Sequence, residues 1–386
     1  MKKELTFYWF VFLLCVSLST VVCAQPPGIT YVTGTDLVSA QAAVNAQCAL
    51  GGTVVLPPQV QFSGSLVVRC PIGSNRIAVK GSPTKVQCAS GGTACIIVGD
   101  SNEFAYYVPG IELEDLSLTG PGAQSINSVG IWIRAAADQA VVNNIRVDYF
   151  NTGMRLGGDP GLLWAAYISD FVVGFGDGNS GAAQQTVNTA VHLDGHVGNA
   201  KFNNFELAAK RRLILSDGPG SSGAGATFSH GSLNSTGVVG VSSVKVASSD
   251  NAVHELLLND IEDWEVACPF LEVGNQARVV INGVGFTGDV MQSTGQHFFH
   301  MLPNSISWLR ISNANLTGCG GGGDTIRVDS YNSFLTIMGS DIAGKINFAQ
   351  AGEGTIVGNR CNWANGGLIG NLSRMKSSAN LFCPDH

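Results

Sequence analysis

Charged residues are scarce in this sequence, and no long apolar run follows its first 24 residues. Asp, Glu, Lys and Arg make up 13% of the chain, against about 25% in an average globular protein. The balance is acidic, with 21 basic and 28 acidic residues, so nucleic acid is not an expected partner. Later segments fall short of the roughly 18 apolar residues of a membrane span, so we expect no membrane partner either.

A zinc motif of paired cysteines is also missing. No CxxC spacing occurs, although such pairs are typical of structural zinc sites, and we predict no metal site. Eight cysteines follow residue 24, and an even number in an exported chain predicts disulfides whose pairing the sequence does not give. They are Cys48, Cys70, Cys88, Cys95, Cys268, Cys319, Cys361 and Cys383.

Residues 1–24 have the pattern of a secretory signal peptide. Lys2 and Lys3 form a basic start, residues 7–16 are apolar, and small residues at 22–24 provide a cleavage site before Gln25. We therefore predict a secreted protein, extracellular or periplasmic, whose mature chain is residues 25–386.

Glycine is abundant, with 49 residues, and a six-residue corner motif recurs along the chain. The motif is apolar, polar, Asn or Asp, apolar, any residue, apolar. Copies begin at Leu113, Val142, Ile168 and Phe202, with looser copies at Phe228, Leu258, Ile281 and Ile311. The spacing between successive copies is typical of stacked coils. Asn and Asp suit the corner because they tolerate a left-handed backbone better than most residues.

An alternating strand precedes each corner, with apolar residues expected inside the coil. The outward positions form a predicted column of residues: Trp132, Arg155, His192, Ile214, Lys245, Glu272 and His300. Neighbouring strands lie roughly 4.8 Å apart, so these side chains would form a long linear face. Such a face suits an extended polymer better than a compact metabolite.

Residues 36–49 predict a helix with Thr35 or Asp36 as its N-cap. The order of segments at this end resembles the start of pectate-lyase-like proteins: this helix is followed by GGTVVLPP at residues 51–58 and then by a valine-rich strand. The resemblance implies a helix that caps the open end of the coil. We predict an all-β fold, a single-stranded right-handed parallel β-helix with an N-terminal capping α-helix. It would be one domain, with coils over about residues 53–370 and a C-terminal cap reaching residue 386.

The resemblance extends to the pectate-lyase-like and polygalacturonase-like superfamily and covers architecture only. It implies that acidic polysaccharide is bound along the sheet that carries His192 and Asp194. The catalytic motifs do not match, because Asn188 and Thr189 are followed by Ala190 rather than aspartate, and no GHG occurs. No catalytic residue is therefore transferred from the family.

Acidic residues and a histidine converge at one end of three consecutive predicted strands. The predicted catalytic residues are Asp159, Asp194, His196 and Asp217, placed by aligning Leu156, Leu193 and Leu215. Two carboxylates a few ångströms apart can share one proton, which keeps a carboxylic acid ready at neutral pH.

Four further residues are predicted to bind substrate. Trp132 would stack on a sugar and Arg155 would pair with a uronate carboxylate, with His192 and Lys245 beside them. In the alternative interpretation, Asp194-Gly195 and Asp217-Gly218 are ordinary turns.

Two functions follow from these patterns. The first is a secreted enzyme that cleaves a pectin-like polysaccharide, either as a hydrolase using Asp194 with Asp159 or Asp217, or as a lyase using a basic residue with Arg155. No cofactor is predicted, except that a lyase could use calcium. The second is a non-catalytic β-helix that binds glycans or acts as a structural rod or adhesin.

Overall fold

The computed structural model describes residues 28–71, 74, 76–89, 94–101, 110–134, 139–158, 162–176, 186–218, 224–234, 240–248, 253–264, 268–287, 296–316, 319, 323–362 and 367–380. The predicted signal peptide, residues 1–24, lies outside this part of the chain.

The described residues form one helix and two parallel sheets. The helix is α1 (Leu37–Leu50). The shorter sheet has twelve strands among these residues: β4 (Leu66–Val68), β6 (Ala94–Val98), β8 (Val129–Ile133), β10 (Thr152–Gly157), β12 (Thr189–Asp194), β14 (Arg212–Asp217), β16 (Val244–Val246), β18 (Leu271–Val273), β20 (Phe299–Met301), β23 (Ile326–Val328), β26 (Ile346–Phe348) and β29 (Leu368–Gly370).

The longer sheet has eighteen strands among the same residues: β1 (Gly28–Tyr31), β2 (Gly52–Val55), β3 (Gln59–Phe62), β5 (Ile77–Cys88), β7 (Glu112–Thr119), β9 (Ala140–Asp148), β11 (Ala166–Val173), β13 (Ala200–Ala208), β15 (Ala224–Asn234), β17 (His254–Trp264), β19 (Ala277–Thr287), β21 (Ile306–Ser312), β22 (Asn315–Leu316), β24 (Asn332–Met338), β25 (Asp341–Ala343), β27 (Glu353–Val357), β28 (Arg360–Asn362) and β30 (Met375–Ser378).

The chain alternates between the two sheets as it winds. From β12 it passes to β13 and then to β14, and each strand pairs in parallel with the equivalent strands of the coils before and after it. Parallel strands joined by crossovers follow the right-handed rule. The fold is a right-handed parallel β-helix, as the repeat predicts.

The corner residues bend the longer sheet at the same place in successive coils. Their backbones are left-handed, with positive φ angles at Asp115, Asn144, Asp170, Asn204, His230, Asp260 and Asn313. The side chains also connect the coils, since Asn144 Nδ2 donates to Asp115 Oδ1 at 2.6 Å. The corner prediction is therefore confirmed.

The inward side chains fill a narrow core that runs along the coil. Phe202 and Phe228 stack on neighbouring strands, with ring centroids 4.2 Å apart and planes 5° from parallel. Phe205 meets Phe228 edge to face. Burying each phenylalanine contributes about 2–3 kcal/mol, so every coil adds its own increment to stability.

Helix α1 covers the N-terminal end of this core. Asp36 is its N-cap, because its side chain accepts from the Ser39 amide at 2.8 Å. The Gln41 amide both donates to and accepts from the backbone of Val67, at 2.8 Å each, so it occupies the hydrogen-bonding edge of β4. Covering that edge blocks pairing with another chain. The predicted capping helix is confirmed.

Three disulfides join described residues. They connect Cys48 with Cys70, Cys88 with Cys95, and Cys268 with Cys319. The first ties α1 to the following coil. Disulfides persist in oxidising compartments, which is consistent with an extracellular protein. None of the helices in the described ranges has both the length and the apolarity needed to cross a membrane.

Candidate functional site

The shorter sheet carries an outward column, one residue per strand, set by its parallel register. In order, the outward column is Val67, Ile97, Trp132, Arg155, His192, Leu215, Lys245, Glu272, His300, Arg327, Asn347 and Ile369. The predicted column is confirmed at every position except Ile214, which is buried. Leu215 takes its place opposite His192.

The error at Ile214 has a physical cause. Leu213, Ile214 and Leu215 are all apolar, so the strand shows no alternation that separates inside from outside. In the structure Leu213 and Ile214 are both buried, and Ser216 takes the inward position opposite Leu193. The alignment of Leu215 with Leu193 was therefore wrong by one residue.

The corrected register places two of the predicted acids side by side. Asp194 ends β12, Asp217 ends β14, and the two residues are direct partners in the sheet. Both side chains are half-buried. Gly157 is the partner of Asp194 on the other side. The predicted third acid, Asp159, lies outside the described residues.

Each of these acids is bound by a residue of the preceding strand. Arg155 on β10 donates to Asp194 Oδ2 through Nε at 3.1 Å and also through its terminal nitrogen. His192 Nε2 lies 2.8 Å from Asp217 Oδ1. The cluster therefore contains two pairs, each of a basic side chain with a carboxylate, arranged along the same diagonal of the sheet.

Trp132 lies beside the cluster and contacts both arginines near it. The guanidinium carbons of Arg134 and Arg155 each lie 4.6 Å from the centroid of its ring, a cation–π distance. The indole Nε1 donates to the Gly157 carbonyl at 2.7 Å. Trp132 thus positions the arginines, and sugar stacking on it stays a prediction.

Two glycines leave room for the Asp194 carboxylate. A Cβ on Gly158 would lie 2.9 Å from Oδ2, and a Cβ on Gly218 would lie 2.8 Å from Oδ1. Both glycines have positive φ angles, +82° and +85°, which also disfavours other residues. Asp194 occupies a slot that only glycines leave open.

The electrostatics of Asp217 differ from the sequence expectation. Burial raises the pKa of Asp217, but the hydrogen bond from His192, together with the charges that His192 and His254 carry when protonated and the charge of Lys245, outweighs it and leaves the pKa below the usual value. This lowered pKa does not favour the predicted sharing of one proton at neutral pH by Asp217. Cations next to this carboxylate stabilise its anion.

His192, Asp194 and Asp217 could together offer ligands to a cation. One ligand atom from each lies within 4.8 Å of the others. His196 is not part of this group. It is four residues after His192, a spacing that brings two zinc ligands together on a helix, but here Gly195, with φ of 66°, turns the chain at the end of the strand.

The other outward residues form separate networks. Lys245, predicted to bind substrate, lies between Leu215 and Glu272, and Glu272 Oε2 accepts from Ser242 at 2.7 Å. Further along, His300 Nε2 lies 2.8 Å from Asp329, which also accepts from Arg327. Asp329 is not among the residues predicted from the sequence; the alternation of Ile326, Arg327 and Val328, which places Arg327 in the column, is the signal that precedes it.

Comparison with solved structures supports the fold. The protein is similar to tailspike protein 2 of the Escherichia coli O157:H7 bacteriophage CAB120, with 14% identity and a TM-score of 0.55. The match covers 78% of this chain, which spans only 40% of the tailspike chain. At such low identity the likeness shows the fold alone.

Two further solved structures match with lower scores. A mannuronan C-5 epimerase A-module from Azotobacter vinelandii is 15% identical, with 91% of this chain and 96% of that chain covered and a TM-score of 0.46. An alginate lyase from Paenibacillus sp. is 10% identical, with 90% and 99% covered and a TM-score of 0.44. No protein-family model and no curated protein matches the sequence.

Proposed function

We propose that the protein cleaves a uronate-bearing polysaccharide by β-elimination, with His192 as the base. The observation that carries the proposal is the His192–Asp217 pair, placed directly beside Arg155 on an extended outward face.

Asp217 prepares His192 to accept a proton. The lowered pKa of Asp217 favours its anionic form, and this carboxylate accepts a hydrogen bond from Nε2–H when the imidazole of His192 is neutral. The unprotonated nitrogen is then Nδ1, and no hydrogen bond from the described residues reaches it. A neutral imidazole held in one tautomer is a suitable general base near pH 7.

Arg155 supplies positive charge on the strand next to His192. In β-elimination the base takes the C5 proton, the electron pair forms the C4–C5 double bond, and the glycosidic oxygen at C4 leaves and takes a proton from solvent. Negative charge builds up on the uronate carboxylate as C5 loses its proton. A guanidinium beside that carboxylate stabilises the charge, and Arg134 lies against the same indole ring.

Hydrolysis is supported less well by this geometry. A glycosidase needs one carboxyl group that keeps its proton to protonate the leaving oxygen. Asp217 has a lowered pKa, and Asp194 is the ion-pair partner of Arg155. The observation that favours hydrolysis is the proximity of the two acids, whose ligand oxygens lie within 4.8 Å.

Calcium fits this site only in part. Asp194 and Asp217 offer the oxygen ligands that calcium prefers, whereas the imidazole of His192 is a ligand typical of softer metals. If a cation is bound, the two carboxylates would hold it, and it would add positive charge near the substrate carboxylate. The assay therefore includes calcium as a variable.

The test is a product assay on galacturonate, mannuronate, guluronate and neutral polysaccharides, with and without calcium. It records new reducing ends and the absorbance of the unsaturated uronate. We expect unsaturated product, lost in His192→Ala and retained in His300→Ala, the matched control on the same column. Reducing ends without unsaturated product would instead indicate a hydrolase. If the protein is folded but releases no product from any polymer, the result would favour the alternative function, a non-catalytic β-helix that binds glycans or acts as a structural rod or adhesin.

A further inference from the structure

A cleft lies between α1 and the first strands of the shorter sheet. Its volume is about 450 Å³. Val67 and Ile97 form an apolar floor, and Asn45 of α1 lines one wall. Arg69 and Arg134 line the cleft as well. Pockets with an apolar surface and a few polar groups are typical of ligand sites.

This cleft lies at the N-terminal end of the outward column that contains His192. Val67, Ile97, Trp132 and Arg155 are consecutive members of the outward column. Four strand spacings separate β4 from β12, which is about 19 Å. A polymer extended along the column from His192 toward the N-terminal end would therefore enter the cleft.

Three charged side chains among the described residues line the cleft. Arg69 and Arg134 contribute two guanidinium groups, and Asp100 contributes one carboxylate, which accepts from Arg69 at 2.8 Å. Arg134 and Arg155 lie at the same distance from the Trp132 centroid. Their guanidinium carbons are thus at most twice that distance apart, so Trp132 and its two arginines connect the column at Arg155 with the cleft.

Helix α1 closes this end of the outward column. Gln41 is held by two hydrogen bonds to Val67, the first member of the outward column. It also donates to Asn45 Oδ1 at 2.9 Å, which fixes the amide of Asn45 at the cleft wall. A sugar in the cleft would meet α1 beyond it, so the chain of sugars would end there.

We propose that this cleft binds the terminal carboxylate-bearing sugar of the polysaccharide. Arg69 and Arg134 bind the carboxylate, since guanidinium pairs well with planar anions. Val67 and Ile97 pack against the apolar face of the sugar ring, and Asn45 bonds a hydroxyl. The inference rests on the proposed function for the class of polymer, and it adds the end of the chain as a recognised feature.

Isothermal titration calorimetry tests this inference without turnover. The His192→Ala protein is titrated with saturated oligogalacturonates and oligomannuronates of eight residues, with neutral oligosaccharides of the same length for comparison. We expect one of the uronate series to bind and the neutral series to bind more weakly. Arg69→Gln and Arg134→Gln should each raise Kd about tenfold, the size expected for one charged hydrogen bond.

Two further variants guard against loss of fold. Asn45→Asp changes an exposed helix position and places a carboxylate at the cleft wall, so Kd should rise severalfold while the melting temperature stays the same. Arg374→Gln is the matched control, because Arg374 bonds Glu353 at 2.8 Å on the longer sheet, as Arg69 bonds Asp100. It should leave Kd unchanged.

The outcomes separate this inference from the proposed function. If the wild type cleaves uronates but the cleft variants bind the oligomers as tightly as His192→Ala alone, the cleft is not a subsite and only this inference is overturned. If no polymer is cleaved but Arg69→Gln and Asn45→Asp weaken binding, the cleft is a uronate site without the proposed reaction. Absence of binding to either uronate series overturns the inference.

Discussion

His192 Nε2 lies 2.8 Å from Asp217 Oδ1, and the two residues belong to neighbouring strands of the same sheet. His192 lies in the outward column, and Asp217 lies two residues after Leu215, the column residue of the next strand. The same diagonal relates His300 to Asp329, also at 2.8 Å. The repeated coil thus places a base and an acid in contact wherever the two residue types fall in this pattern.

Asp217→Asn should lower turnover by up to about 10⁴-fold, the size of the effect when an amide replaces the carboxylate that orients a catalytic histidine. The amide keeps the shape of the side chain but removes the charge that holds His192 in one tautomer. The measurement is kcat on a cleaved uronate polymer. Asp329→Asn makes the same change at the second diagonal pair, and equal losses in both variants would contradict the assignment.

Stability should fall in acid because of Asp217 and Asp329. Burial raises the pKa of each carboxyl, but hydrogen bonds from His192 to Asp217, and from Arg327 and His300 to Asp329, leave both values below normal. A depressed pKa in the folded state stabilises the protein above the unfolded value near 3.9, and this stabilisation is lost as pH falls toward the folded value.

Urea unfolding at pH 7 and pH 3 measures the effect of these two carboxyls. The double variant Asp217→Asn, Asp329→Asn should lose less stability between the two pH values than the wild type. We expect less than about 1 kcal/mol from each residue, since both are partly exposed and screened by solvent. An unchanged difference between pH 7 and pH 3 would contradict the prediction.

Gly218→Ala should displace the Asp194 carboxylate. The new Cβ would lie 2.8 Å from Oδ1, and the residue has a φ of +85°. Gly240→Ala is the matched control, because Gly240 has a φ of +79° and nothing within 4 Å of its Cβ position. Both should lose about 1–2 kcal/mol of stability from backbone strain, but only Gly218→Ala should also lower activity, as measured by initial rates.

Asn204→Ala should destabilise the coil more than Asn204→Gly. Both variants remove the hydrogen bond to Asp170, but glycine tolerates the left-handed φ of 52° at this corner and alanine does not. The difference in the free energy of unfolding should be about 1 kcal/mol in favour of glycine. Equal values from urea denaturation would mean that the corner carries no strain.

Removing the Cys268–Cys319 disulfide should be more costly than removing Cys88–Cys95. The two bridges close segments of 51 and 7 residues, and longer loops lose more entropy on closure. The loop-entropy relation gives about 4 kcal/mol for the first and about 2.4 kcal/mol for the second. Paired substitutions to alanine, followed by thermal and urea unfolding, would show the order. The reverse order would contradict the entropic argument.

The coil architecture could be predicted from sequence because it depends on local rules that repeat. The left-handed backbone at Asp115, Asn144, Asp170 and Asn204 requires residues that few other positions favour, so the corners are visible in the sequence. The capping helix is visible for the same reason, since Asp36 and the apolar positions Val44 and Cys48 give it a start and a buried side.

The contacts of the candidate site could not be predicted to the same extent. Register within an apolar strand such as β14 depends on packing against neighbouring coils, and a shift of one residue reverses the faces. The contact of Trp132 with Arg134 and Arg155 depends on side-chain conformations that spacing does not determine. The lowered pKa of Asp217 depends on three neighbours from other strands.

Because the outward column takes one residue from each coil, the length of the column can change only by whole coils. Duplicating or deleting a coil at its left-handed corners would lengthen or shorten the column by one strand spacing, about 4.8 Å. The core on either side of that coil would keep its packing. Gain or loss of a coil can therefore change the distance between His192 and Lys245, which have β14 between them, without altering the strand of either residue. The distance between functional residues along the column is thus set in steps of one coil.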